Sequence, residues 1–97
     1  MSWPTQEQFD RAHKLGTEYA LAQRENGATE AREAPLSGEW ADDPTTRTVA
    51  AGVGYSAPDD WEPGLDRAQA YMAYEDGVQE LADAWERGYF DAWAHSE

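Results

Sequence analysis

Apolar side chains recur at steps of three and four residues near both ends of the chain, which predicts a helix at each end. The first stripe consists of Phe9, Ala12, Leu15, Tyr19 and Ala22. Thr5 and Gln8 have the spacing of a capping box, and Gly27 after Asn26 is typical of a helix end. The sequence therefore predicts an N-terminal helix over about residues 6–26.

A second helical pattern covers about residues 61–94, and its phase changes once. One stripe contains Trp61, Leu65, Ala68 and Met72. The other, which we name the aromatic seam, contains Tyr71, Tyr74, Val78, Leu81, Trp85 and Tyr89. The two stripes lie on different sides of a straight helix. This predicts either a kink or break near Gly77 or two packing partners for one long helix. The seam itself is interpreted as core or as an oligomer contact.

The segment between the two helical patterns is rich in Gly and Pro, so residues 28–60 are expected to be loop-like or partly ordered. Residues 45–55 include several β-branched side chains, but Gly52 and Gly54 weaken a strand. A short strand pair and a glycine-hinged loop are both compatible with that pattern. The predicted fold class is one small, mainly α domain over residues 1–97, arranged as a helical hairpin or a dimeric bundle.

Charge narrows the classes of partner. The chain has 20 Asp and Glu against 7 Lys and Arg, a net charge of −13, and such a field repels nucleic-acid phosphates and anionic membranes. We therefore expect no direct nucleic-acid binding and no membrane binding. The absence of cysteine and of a signal-like N-terminus predicts a cytoplasmic protein.

The negative charge is unevenly distributed along the chain. Residues 1–26 have a net charge of −1, whereas residues 27–64 and 65–97 each have −6. In the second helix, five acids fall in one arc of roughly 140°, away from the aromatic seam. We name this arc the acidic face; it consists of Glu75, Asp76, Glu80, Asp83 and Glu86. Its like-charge pairs each cost the helix about 0.2–0.5 kcal/mol, and only Arg87, four residues after Asp83, offsets them locally.

Such a face predicts a binding site for a basic protein. Its carboxylates cover about 16 Å of helix axis, or one charge per ~3–4 Å, close to the ~3.4 Å spacing of phosphates on one DNA strand. In charge and size the chain resembles small phage- or plasmid-encoded DNA mimics. Phe90 falls within the same arc and is predicted to be an apolar anchor. A second acidic patch is predicted at Asp42, Asp43, Asp59, Asp60 and Glu62.

Two hypotheses of different classes follow. In the first, the chain is a non-enzymatic inhibitor whose acidic face binds a basic protein, such as a nucleic-acid-binding protein, in an anti-defence or regulatory role. In the second, it is an assembly protein that forms a homodimer through the aromatic seam, and its acids serve solubility or salt adaptation. His13 and His95 lack metal-ligand spacing, and no nucleophile or phosphate-binding motif is present, so no enzyme activity and no cofactor are expected.

Overall fold

The computed structural model describes residues 3–39, 43–56 and 67–95. Within these ranges the chain forms three α-helices and no strand: α1 (Gln6–Glu25), α2 (Thr46–Gly52) and α3 (Arg67–Ala94). The mainly helical fold expected from the sequence is therefore confirmed. The core lies where α1 and α2 pack against α3, and its largest fully buried side chains include Tyr89 and Leu81.

Local capping determines both ends of α1. The Thr5 hydroxyl accepts a hydrogen bond from the Gln8 amide at 3.2 Å, and the Thr5 amide donates to the Gln8 side chain at 2.9 Å. This is the capping box that the sequence predicts. At the other end, Gly27 adopts a φ of 98°, a conformation that glycine enters without steric cost. The predicted helix over residues 6–26 is thus confirmed.

The strand pair considered for residues 45–55 is wrong, because α2 occupies most of that segment. Thr45 and Thr48 form a second capping box, in which the Thr45 amide donates to the Thr48 hydroxyl at 2.6 Å. Val49, Ala50 and Val53 are buried at helical spacing. Capping and the burial of one helix side outweigh the β-propensity of the threonines.

Helix α3 is unbroken past Gly77, and it packs against both α1 and α2. The break considered near this glycine is therefore absent, and the alternative of two packing partners for one long helix is the correct one. A side chain at position 77 would collide with the Tyr55 hydroxyl and with Pro4, so glycine permits a close approach here. Residues 61–66 of the predicted helix lie outside the described residues.

The contacts between α1 and α3 show that these two helices run parallel. Pro4 lies against Gly77, His13 lies against Gly88, and Arg24 stacks over the Trp93 ring at 5.5 Å. The contacts thus advance in the same direction along both helices. Of the two arrangements expected from the sequence, the helical hairpin is therefore wrong, because a hairpin would place the two helices antiparallel. The dimeric bundle stays a prediction.

The path of the chain through α2 allows α1 and α3 to run parallel. Asp43, just before α2, accepts a hydrogen bond from Tyr19 near the end of α1, whereas Val53, just after α2, accepts one from Gln8 near its start. The chain therefore runs back along α1 before α3 begins. A long connection of this kind allows two neighbouring helices to point the same way.

Candidate functional site

The acidic face lies on the side of α3 that points away from the core. Glu75, Asp76 and Glu80 are exposed, while Asp83 and Glu86 are partly buried. Core residues of the same helix, including Val78, Leu81 and Trp85, occupy the opposite side. Because one long, unbroken helix carries the five carboxylates, their relative positions are fixed by helical geometry.

Few cations neutralise the acidic face. Arg47 of α2 approaches Glu75 at 3.5 Å, but both side chains are well exposed, and such pairs contribute little to stability. Asp83 accepts a hydrogen bond from Gln79 at 3.4 Å. Arg87 makes no ion pair with any residue in the described part of the chain, so it does not offset Asp83 as the sequence suggested. Most of the charge on this face is therefore open to a partner.

The surroundings of Glu86 change its acidity. Partial burial raises the pKa of Glu86, and the nearby charge of Asp83 raises it further. Both effects disfavour the ionised carboxylate. A basic partner that neutralised Asp83 and Glu86 together would remove part of this cost.

Glu86→Gln is expected to stabilise the fold near pH 7, and this gain should vanish near pH 4. The folded chain keeps the Glu86 proton to a higher pH than the unfolded chain does, because the folded-state pKa of this residue is raised. As the pH rises through the folded-state pKa, Glu86 becomes ionised in the folded chain, and this ionisation lowers the free energy of unfolding. In acid, Glu86 is protonated in both the folded and the unfolded chain, so the cost is absent. Urea unfolding of both proteins at the two pH values measures the difference, with Glu25→Gln as a control for the loss of one charge. An equal gain at both pH values would contradict the proposed cause.

Large apolar side chains also lie on the outer side of α3. Phe90 is 38% exposed and rests edge-on against Tyr89, with ring centroids 5.1 Å apart. Met72 is 65% exposed. An aromatic ring supported by the core but open to solvent, with carboxylates beside it, is suited to insertion into an apolar pocket of a partner.

The aromatic seam lies mostly inside the single chain. Val78, Leu81, Trp85 and Tyr89 are buried, and Trp85 stacks on Tyr89 at a centroid distance of 5.4 Å. Tyr19 of α1 lies against both rings, at 5.3 and 6.0 Å. The first two residues of the seam differ from these, because Tyr74 is half-buried against Tyr55 and Tyr71 is 42% exposed.

Asp43 does not belong to a surface patch, which corrects the sequence interpretation. Its side chain is only 5% exposed; it pairs with the Arg32 guanidinium and accepts a hydrogen bond from the Tyr19 hydroxyl at 2.9 Å. We name these three residues the polar latch. Burial, and then the hydrogen bond to Asp43, raise the pKa of Tyr19. The other members of the predicted second patch, Asp42, Asp59, Asp60 and Glu62, lie outside the described residues.

The polar latch continues into the aromatic core. The Arg32 amide donates to the Tyr89 hydroxyl at 2.9 Å, and that hydroxyl donates to the Gln23 side chain at 2.6 Å. Buried tyrosine hydroxyls require such partners, since an unsatisfied one is costly. Sequence reasoning missed this network, because its members come from α1, the following loop and α3 and share no spacing that points to contact.

Asp43→Ala is expected to lower the free energy of unfolding by about 2 kcal/mol, because it leaves the partly buried Tyr19 hydroxyl and the Arg32 guanidinium without their acceptor. Urea unfolding followed by circular dichroism would measure the change. Glu39→Ala is the matched control, because Glu39 pairs with the same arginine at 3.5 Å but is 76% exposed. This control should cost about 0.5 kcal/mol or less. Equal effects of the two substitutions would show that the latch contributes no more than a surface ion pair.

Both histidines lie close to Asp91 of α3. His13 is near Asp91 of α3 at 3.5 Å, and the His95 ring contacts the Asp91 carbonyl at 2.9 Å. Across the residues that the structure describes, no group of three or more His, Asp or Glu side chains could hold a metal ion.

Comparisons with protein-family models, with curated proteins and with solved structures find no significant match to this chain. Among the described helices, none combines the length and the apolar character needed to cross a membrane.

Proposed function

We propose that this is a non-enzymatic, cytoplasmic interaction protein whose acidic face binds a basic surface of another protein. The partner we favour is a nucleic-acid-binding protein, which the acidic face would inhibit by occupying the surface that otherwise meets phosphates. The observation that supports this most is the outward position of Glu75, Asp76 and Glu80 on one unbroken helix, where only Arg47 approaches them among the described cations.

Helical spacing supports a phosphate-like role for the acidic face. Its carboxylates follow one another over about 16 Å of axis, so their mean spacing is close to that of phosphates on one DNA strand. A basic groove that binds phosphates therefore meets charge of the same sign and similar density. Release of counterions from both surfaces would favour the complex at low salt, and affinity would fall steeply as salt rises.

Phe90 is expected to add an apolar contribution to the binding affinity, which salt does not screen. A ring that is 38% exposed and braced by Tyr89 loses little conformational freedom on binding. Its insertion into an apolar pocket would strengthen a charged interface without depending on ionic strength. Phe90→Ala should therefore weaken binding by a similar factor at low and high salt.

The assembly hypothesis has weaker support. Trp85 and Tyr89, the two buried rings of the aromatic seam, are covered by α1 and by the following loop of the same chain. A homodimer through these two rings would require α1 to move away from α3. Tyr71 is the ring of the seam that is open to a second copy.

The proposed function is tested by reversing charge on the acidic face. The triple variant Asp76→Lys, Glu80→Lys, Asp83→Lys should lose a partner that the unmodified protein retains from cell lysate at low salt. The matched control is Glu7→Lys, Glu18→Lys, Glu25→Lys, which makes the same charge change at exposed positions of α1. This control should retain the partner, apart from a general loss caused by the altered net charge.

The captured protein must then behave as the mechanism requires. It should be basic, its release should follow rising ionic strength, and the unmodified protein should displace nucleic acid from it in a competition assay. Undiminished capture by the acidic-face variant would overturn the proposal, as would a captured partner whose retention does not depend on salt. Circular dichroism of both triple variants verifies that the helices remain folded.

A further inference from the structure

A surface groove of about 350 Å³ runs between the parallel helices α1 and α3, beside the acidic face. Its lining includes Phe9, Asp10 and His13 from α1 and Glu80, Ala84 and Arg87 from α3. This volume lies within the range of small-molecule sites. We name it the interhelical groove.

Opposite charges occupy different ends of the interhelical groove. On α3, Glu80 precedes Arg87 by two helical turns, about 10 Å along the axis. On α1, Asp10 precedes His13 by almost one turn. Because the helices are parallel, both acids lie toward one end of the groove and both basic side chains toward the other. An antiparallel pair would have mixed these charges at each end.

The charged groups of the groove are available to a ligand. Neither Glu80 nor Arg87 forms an ion pair with a residue in the described ranges. Asp10 accepts a hydrogen bond from the side-chain Nε2 of Gln6 at 3.0 Å, and this neutral donor leaves the Asp10 charge unneutralised. His13, by contrast, is engaged with Asp91. At the positive end, Arg87 is therefore the cation that makes no ion pair within residues 3–39, 43–56 and 67–95.

Apolar side chains from both helices also line the interhelical groove. Phe9 and Ala84 are both partly buried, and both pack against the hydrophobic core. A short aliphatic stem lying on the Phe9 ring would be removed from water at little cost to the protein. These two side chains are the apolar part of a lining that is otherwise polar or charged, so a suitable ligand combines a short apolar stem with charged ends.

We propose that the interhelical groove binds an ω-amino acid, a ligand with an amine and a carboxylate at opposite ends of a short apolar stem. The amine would lie between Glu80 and Asp10, the stem on Phe9 and Ala84, and the carboxylate against the Arg87 guanidinium. A C-terminal lysine of a peptide presents the same groups. Arg87 repels a simple amine, and the two acids repel a simple carboxylate, so selectivity comes from the pair of charges.

Titration with 6-aminohexanoate, followed by amide shifts in two-dimensional NMR, tests the site directly. Saturable shifts should appear in residues 6–13 of α1 and 80–87 of α3. Hexylamine and hexanoate each carry only one of the two charges, and each should bind at least about tenfold more weakly. The absence of saturable shifts, or equal binding of hexylamine, overturns the proposal.

Two substitutions outside the acidic face test the assigned roles. Arg87→Gln should lower the affinity for 6-aminohexanoate while improving the relative binding of hexylamine, and Asp10→Asn should weaken both. Arg11→Gln and Glu18→Gln are the matched controls, because these exposed residues of α1 do not line the groove. An unchanged titration of Arg87→Gln would show that the carboxylate lies elsewhere.

A peptide ending in lysine and its C-terminally amidated form distinguish the two sources of the ligand. Binding of the free peptide but not of the amide identifies a peptide terminus, whereas binding of 6-aminohexanoate alone identifies a free small molecule. The groove shares Glu80 with the acidic face. Its test is nevertheless separate from that of the acidic-face proposal, because the probes are small and the substituted residues Asp10 and Arg87 lie outside that face. Salt-dependent capture of a basic protein without probe binding would overturn the groove alone, and the reverse result would overturn the acidic face alone.

Discussion

Trp85→Ala is expected to lower the free energy of unfolding by about 3–5 kcal/mol, a large part of the stability of a domain of this size. Trp85 is 3% exposed, stacks on Tyr89 and contacts Tyr19 of α1. The loss of its ring would leave a cavity at the centre of the α1–α3 contact. Urea unfolding followed by circular dichroism measures the effect. If the loss is as large as the total stability of the protein, the variant is largely unfolded even in dilute buffer.

Trp85→Ala also tests whether Trp85 belongs to the core of one chain or to a contact between two chains. Trp3→Ala is the control, since Trp3 is 53% exposed and its removal should cost about 1 kcal/mol or less. If Trp85 belongs to the core of one chain, the unfolding midpoint should not depend on protein concentration. A midpoint that rises with concentration, together with loss of an oligomer in the variant, would instead support the assembly hypothesis.

Gly16→Ala is expected to destabilise the protein by about 3 kcal/mol, although alanine usually favours a helix by about 1 kcal/mol over glycine. A Cβ atom at position 16 would overlap the carbonyl oxygen of Trp85, and one at Gly88 would overlap that of His13. Because the obstacle is backbone on a neighbouring helix, no rotamer change can relieve it. The two helices would have to separate, which would loosen the packing of Trp85 as well.

Gly52→Ala is the matched control for this prediction. A Cβ atom there would lie 3.5 Å from the Leu15 side chain, an ordinary van der Waals contact. Its unfolding midpoint in urea should be unchanged or slightly raised, whereas Gly16→Ala and Gly88→Ala should both lower it. A neutral effect of Gly16→Ala would mean that α1 and α3 are less closely packed than the structure shows.

Much of the secondary structure could be predicted because its causes are local. The capping box at Thr5 and the helix end at Gly27 each involve residues a few positions apart, so both are readable from spacing. Helix α2, together with its capping residue Thr45, is harder to predict from the sequence. Its threonines favour strands, whereas Thr45 and Thr48 also have the spacing of a capping box. Here the burial of Val49 on one side of a helix decided the outcome.

The close approach at Gly16 left a partial signal in the sequence. Ala12, Gly16 and Ala20 follow one another at steps of four, so a strip of small side chains lies along one side of α1. Such a strip permits close packing but does not identify the helix that approaches it. The structure identifies α3 as that helix, with Gly88 as the second small residue of the contact.

The sequence by itself determined the helices at the two ends of the chain, the unequal distribution of charge and the separation of the acidic face from the aromatic seam. Each of these depends on residues within a few turns of one another, where helical periodicity relates position to direction. The tertiary structure decided the parallel course of α1 and α3, the burial of Asp43 and the interhelical groove. These depend on contacts such as Tyr19 with Asp43 and Gly16 with Trp85, between residues distant in sequence, and no local periodicity specifies how such segments meet.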